Sequence, residues 1–113
     1  MAVSTTLCKR LELIIARPHL QIFAKLFETA GVTGWTALKT AGGTGTSGMW
    51  REDQLTGADE HVVVLAIMDA AAAEAVLEEI STLFARYPGV VSVTDAQVLR
   101  PERFSGQPRK ADQ

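Results

Sequence analysis

Apolar positions along the chain switch between two periods, and the switches lay out its elements. Leu11-Glu12-Leu13-Ile14-Ile15-Ala16 follows two basic residues and carries β-branched content, as a strand with a buried face does. Pro18 stops it and suits the first turn of a helix, where Leu20, Phe23, Ala24, Leu26 and Phe27 recur at spacings of three and four. Gly31 supplies the C-terminal stop. Residues 35–40, with tryptophan and threonine, are moderately strand-like. His61-Val62-Val63-Val64-Leu65-Ala66-Ile67-Met68 is the clearest strand, a continuous apolar run that belongs at the centre of a sheet. Asp69 can cap the next helix, whose stripe is Ala72, Val76, Leu77, Ile80, Leu83 and Phe84, with Glu74, Glu78 and Glu79 off it. Pro88-Gly89 ends that helix, residues 90–99 form a last strand, and residues 105–113 read as a mobile polar tail.

The order β-α-β-β-α-β predicts an α+β, ferredoxin-like sandwich, with one antiparallel sheet and both helices on one face. A strand as apolar as residues 62–68 cannot leave its other side in water without a large exposed patch. Subunits are therefore expected to pack sheet against sheet, and this argument admits a dimer or a trimer.

At 113 residues the chain has room for one domain with tails. It is 47% hydrophobic but only 6% aromatic, so the core is expected to be aliphatic. A net charge of −2 provides no broad basic field, which argues against nucleic acid and anionic membranes as partners. The one cysteine, Cys8, precedes the first predicted strand, has no disulfide or metal partner and no base beside it, and fits a reducing cytoplasm. No run of about eighteen apolar residues suggests a membrane span. His19 and His61 are too few for a metal site, and no carboxylate pair or activated nucleophile stands out, so no cofactor and no catalytic residue is expected.

The remaining chemistry lies in residues 31–50, GVTGWTALKTAGGTGTSGMW. Glycine-rich backbone approaches a phosphate closely and offers it unobstructed N–H groups. No helix opens after the glycines and no Gly-Lys-Ser/Thr is present, so this is neither a dinucleotide fingerprint nor a P-loop. It reads as a long excursion between two strands, which in a compact domain is functional or disordered. By spacing alone, Gly42, Gly43 and Gly45 are as well explained by a loop hinge, Thr36 by an ordinary strand residue, and Trp50 by interface filler.

Lys9-Arg10-Leu11-Glu12-Leu13-Ile14-Ile15, Pro18-His19-Leu20 and Gly31-Val32-Thr33-Gly34-Trp35-Thr36 resemble the opening of PII signal-transduction proteins, and the likeness extends over about residues 9 to 104. The glycine cluster, Tyr87-Pro88-Gly89-Val90-Val91, Ala96-Gln97-Val98-Leu99 and Phe104-Ser105-Gly106 are similar to the SbtB-like and carboxysome-associated branch. The resemblance implies a domain over residues 1–104 with a T-loop at about residues 41–60. It implies a homotrimer with an adenine nucleotide in each inter-subunit cleft: ADP or AMP, with ATP and cyclic AMP as further candidates.

It also implies site residues. Thr36 falls at the adenine edge, Gly34 in the adjoining turn, and Gly42, Gly43 and Gly45 where amides meet phosphate. Gly89 and Val90 fall in a shortened B-loop, and Ala66 on the central strand near the base. Arg100 and Arg103 match loosely the C-terminal arginines, whose guanidinium forks suit phosphate. Bicarbonate is an implied co-ligand, for which Lys39 and Arg51 are the candidate cations. The B-loop lysine is replaced by Val90 and Val91, Glu60 stands about where a lysine precedes the third strand, and residues 41–60 contain no tyrosine. Magnesium-dependent 2-oxoglutarate binding and uridylylation are therefore not implied. The expected output is a transporter or carboxysome-related partner met through the T-loop, with membrane contact only through that partner. The competing readings are a small dimeric ferredoxin-like enzyme and a PII-like regulator of a metal or other solute transporter.

Overall fold

The structure is a computed structural model and describes residues 3–45, 48–51 and 60–99. Strand β1 spans Thr6–Ala16, a single 3-10 turn Arg17–His19, helix α1 Leu20–Thr29, and strand β2 Trp35–Lys39. Strands β3 (Gly42–Gly45) and β4 (Gly48–Arg51) follow, then β5 (His61–Met68), α2 (Ala70–Leu83) and β6 (Gly89–Val98).

Four strands form one sheet in the order β2-β5-β1-β6, with every neighbouring pair antiparallel. Alternation decides its two faces. On β1 the residues Leu11, Leu13 and Ile15 are buried, and on β5 Val62, Val64, Ala66 and Met68. The register pairs Leu11 with Ala66, Leu13 with Val64 and Ile15 with Val62, so these side chains share the face that the helices cover. Phe23 and Phe27 of α1 and Ala73, Val76 and Ile80 of α2 complete that core. Aromatic contacts stitch its layers together: Phe27 stacks on Trp35 at 6.1 Å between centroids, and Phe23 meets Phe84 at 6.0 Å. The α+β ferredoxin-like architecture expected from the element order is the one observed.

Local chemistry sets the helix ends. The Asp69 carboxylate accepts a 2.7 Å hydrogen bond from the Ala72 N–H, satisfying one orphan donor of the first turn of α2. At the end of α1, Gly31 takes φ 78°, its N–H donates to the Glu28 carbonyl, and the Val32 N–H donates to the Phe27 carbonyl. These are the two bonds of a Schellman cap, and the buried Val32 and Phe27 supply its apolar contact.

Three differences from the sequence reading have physical causes. First, β1 begins at Thr6, so Cys8 lies inside the strand, paired with Ala96 and buried, rather than before it. The ten-residue β6 reaches far enough to pair that extension, which β5 does not. Second, the excursion after β2 contains a strand pair. Main-chain donors and acceptors suffice for a ladder, and glycine retains both. Third, β6 begins one residue earlier, at Gly89. Residues 46–47 and 52–59 of the expected T-loop, and the expected tail at 105–113, lie outside the described residues.

The face opposite the helices carries a row of aliphatic side chains across all four strands, Leu38–Val63–Ile14–Val90 in register. Leu38 and Val90 are exposed in the single subunit, and Leu65 and Ile67 continue the patch along β5. Arg10 and Glu12, 3.6 Å apart, lie on the same face further along β1.

Candidate ligand site at one end of the sheet

The pairing registers place Lys39, Val62, Ile15 and Gly89 in a single row across the sheet, so the end of β2 and the start of β6 lie at the same end. The glycine-rich excursion leaves from that end. Its return is anchored there by two bonds: the Thr40 hydroxyl donates to the His61 carbonyl at 2.8 Å, and the Arg17 N–H to the Glu60 carbonyl at 2.7 Å. The Arg17 guanidinium also meets the Glu60 carboxylate at 3.2 Å. The exit and re-entry of the loop are thus fixed to the sheet.

Beyond that anchor, Gly42 pairs with Arg51, Gly43 with Trp50, Thr44 with Met49 and Gly45 with Gly48, as a two-stranded sheet separate from the main one. Gly42 takes φ 155°, where a Cβ is disfavoured, and Gly42 and Gly45 are exposed while Gly43 is half-buried. The backbone of Arg51 stands directly across from that of Gly42, which itself closely follows Lys39, so the fold brings these chain positions to one hairpin base. Lys39 is exposed there.

Gly89 has a packing reason to be glycine. A Cβ built on it would meet the Ile14 carbonyl oxygen and Ile15 Cγ2 at 2.7 Å and the Phe84 ring at 3.1 Å. The main chain entering β6 therefore lies hard against β1, and it sets the exposed Val90 opposite Ile14.

The candidate residues divide into two groups. Lys39, Gly42, Gly43, Gly45, Arg51, Gly89 and Val90 lie toward one end of the sheet. Gly34 and Thr36 lie further down the β2 edge, with the Gly34 carbonyl accepting from the Ile67 N–H and Thr36 exposed opposite Leu65. Three strand spacings, about 14 Å, separate the β2 edge from the β6 edge. Ala66 departs from the group altogether: it is 1% exposed in the core, paired with Leu11 and Trp35, so its side chain faces the helices. Arg100 and Arg103 lie outside the described residues.

Cys8, at the other end of β1, has its thiol pushed up by burial and, secondarily, by the Asp69 charge, which keeps it protonated and a poor nucleophile. Among the described residues no three His, Cys, Asp or Glu side chains cluster as metal ligands, and no helix is long and apolar enough to cross a membrane.

The nitrogen regulatory protein P-II family model matches residues 8–103, nearly the whole described sandwich. The chain belongs to that family. PII proteins are trimeric signalling regulators rather than enzymes. Among solved structures, CPII of Thiomonas intermedia K12, a PII-like protein bound to ADP, AMP and bicarbonate, is 30% identical with a TM-score of 0.84, over 92% of this chain and 99% of that one. Its form bound to ADP and bicarbonate is likewise 30% identical, TM-score 0.81, over 91% and 99%. A structure from Thermus thermophilus described as PII-like shares the fold at 14% identity, TM-score 0.78, over 90% and 99%. Among curated proteins, none matches the chain.

Sequence reasoning missed the anchors of the PII excursion. Arg17 carried no signal there, and Glu60 read only as a replaced lysine. The charge pairing of Arg17 with Glu60 joins residues far apart in sequence, and no local period announces such a contact.

Proposed function

We propose that this chain is an adenine-nucleotide-responsive PII-type regulator that binds ADP or AMP in clefts between the subunits of a homotrimer, with bicarbonate as co-ligand. The observation that carries it is the likeness, over nearly the full length of both chains, to a protein bound to ADP, AMP and bicarbonate, together with the glycine-rich backbone gathered at one end of this chain's sheet. The two groups of candidate residues support an inter-subunit cleft: the β2 edge of one subunit, with Gly34 and Thr36, meets the loop end of its neighbour, with Gly42, Gly43, Gly45, Gly89 and Val90. Arg100 and Arg103 add cationic forks for phosphate. The core position of Ala66 leaves it a role in shaping the strand behind the base. The aliphatic row on the open sheet face supports association through that face.

Lys39 and Arg51, which flank Gly42 along the chain and across the ladder, are suited to a small anion such as bicarbonate. The nucleotide acts by binding the ordered hairpin better than other conformations of the excursion, because only differential affinity shifts a population. The hairpin then presents or withholds a surface for a cytoplasmic partner of inorganic-carbon metabolism, a transporter or carboxysome-related protein. Calorimetry on the full chain with ADP and AMP, each with and without bicarbonate, tests this. The expected result is saturable binding of a nucleotide that bicarbonate tightens. Absence of binding heat for both nucleotides overturns the reading, and a nucleotide isotherm indifferent to bicarbonate removes the co-ligand.

A further inference from the structure

Both loops at the ligand end of the sheet are attached to the same three residues. Arg17, first in the 3-10 turn, holds Glu60 twice, by its main-chain N–H at 2.7 Å and its guanidinium at 3.2 Å. His19, last in that turn, sets its ring edge-on to Tyr87 at 4.9 Å between centroids, two residues before Gly89. Its Nδ1 is buried with no hydrogen-bond partner among the described residues, so packing against the Tyr87 ring is what the structure shows holding the imidazole. Arg86 covers that tyrosine at 5.6 Å. Pro18 between them restricts the backbone, so the two attachments do not swing independently.

We infer that Arg17 and His19 are positioning residues for the ligand site. The turn Arg17–His19 is a rigid bracket that sets the spacing between the return of the glycine excursion and the Tyr87-Pro88-Gly89 turn, the two segments that offer backbone to the ligand. This rests on the proposed nucleotide site for its functional consequence, while the bracket itself consists of contacts within one chain. Anion binding by main-chain amides depends on fixed spacing, since the amides cannot reach as a long side chain does, and a bracket removes the cost of ordering two loops at once.

The test uses Arg17→Gln, His19→Ala and His19→Phe in the full chain. Hydrogen exchange on the nucleotide-free protein comes first. In Arg17→Gln, faster exchange is expected in peptides covering residues 60–62 and also in those covering 87–91; in His19→Ala the same two regions loosen. Exchange altered only beside each substituted residue overturns the bracket, whether or not nucleotide binds. In titrations with ADP, Arg17→Gln and His19→Ala should each weaken binding about fivefold, the upper range for a partly exposed contact, with the thermal midpoint nearly unmoved, and His19→Phe should restore most of the affinity by keeping a ring against Tyr87. Wild-type affinity in both weakened variants overturns the inference, as does His19→Phe behaving like His19→Ala. Failure of the unsubstituted protein to bind ADP overturns the nucleotide reading alone, and the exchange result still decides the bracket.

Discussion

The sandwich and the glycine hairpin are built by opposite means. In the sandwich, side chains decide everything: Leu11, Leu13, Ile15, Val64 and Met68 are at most 1% exposed, and a one-residue slip of any strand would turn them to the other face. In β3, every residue but Thr44 is glycine, and the pairing with β4 is main chain to main chain. The first region is specified by what it buries. The second, on the proposed reading, is left to be specified by what it binds, and its two ends are tethered at Thr40, Glu60 and Arg17.

Substitutions can break this contrast in order of effect. Phe27→Ala removes a fully buried ring that stacks on Trp35 and should cost about 3–5 kcal/mol, read as a fall in the urea midpoint with an unchanged slope. Gly89→Ala forces a Cβ to within 2.7 Å of a main-chain oxygen and should cost about 1–3 kcal/mol; a variant as stable as the parent would show that the β6 entrance yields easily. A smaller effect concerns Cys8. Its thiol is raised above the ordinary 9.0, so the unfolded chain ionises first; the stability tied to the neutral thiol is complete below that value and is lost as pH climbs past it toward the folded-state value. Denaturation midpoints measured from about pH 8 upward, the range set by the ordinary thiol value, should decline less steeply in Cys8→Ser than in the parent. Least in stability, and largest in function, is Gly43→Asp. It should change stability by under about 0.5 kcal/mol, leave the oligomer intact, and abolish ADP binding by placing a carboxylate beside phosphate. Unchanged ADP affinity would remove β3 from the site and leave the two regions with no functional difference.

The same contrast explains what the sequence made legible. The helix stripe of Phe23 and Phe27, the valine run of β5 and the Asp69 cap each have a local signature, and each stands where periodicity put it. The ladder of β3 with β4 has none, because glycine carries no side-chain period. The inward position of Ala66 follows from parity along β5: it shares the parity of Val64 and Met68, whereas family likeness places it near the base without regard to that alternation. The clustering of Arg51 with Gly42 depends on a cross-strand register that neither residue announces, and Arg17 with Glu60 on a sheet order, β5 beside β1, that emerges only on folding.

The stripe formed by Leu38, Val63, Ile14 and Val90 has a consequence for how little of this protein exists as single copies. A lone copy would wet a hydrocarbon band as wide as its whole sheet, and under the association proposed above, which hides that band, folding and assembly draw on one shared free energy. Dilution would then act as a denaturant, and heat tolerance would climb with protein concentration.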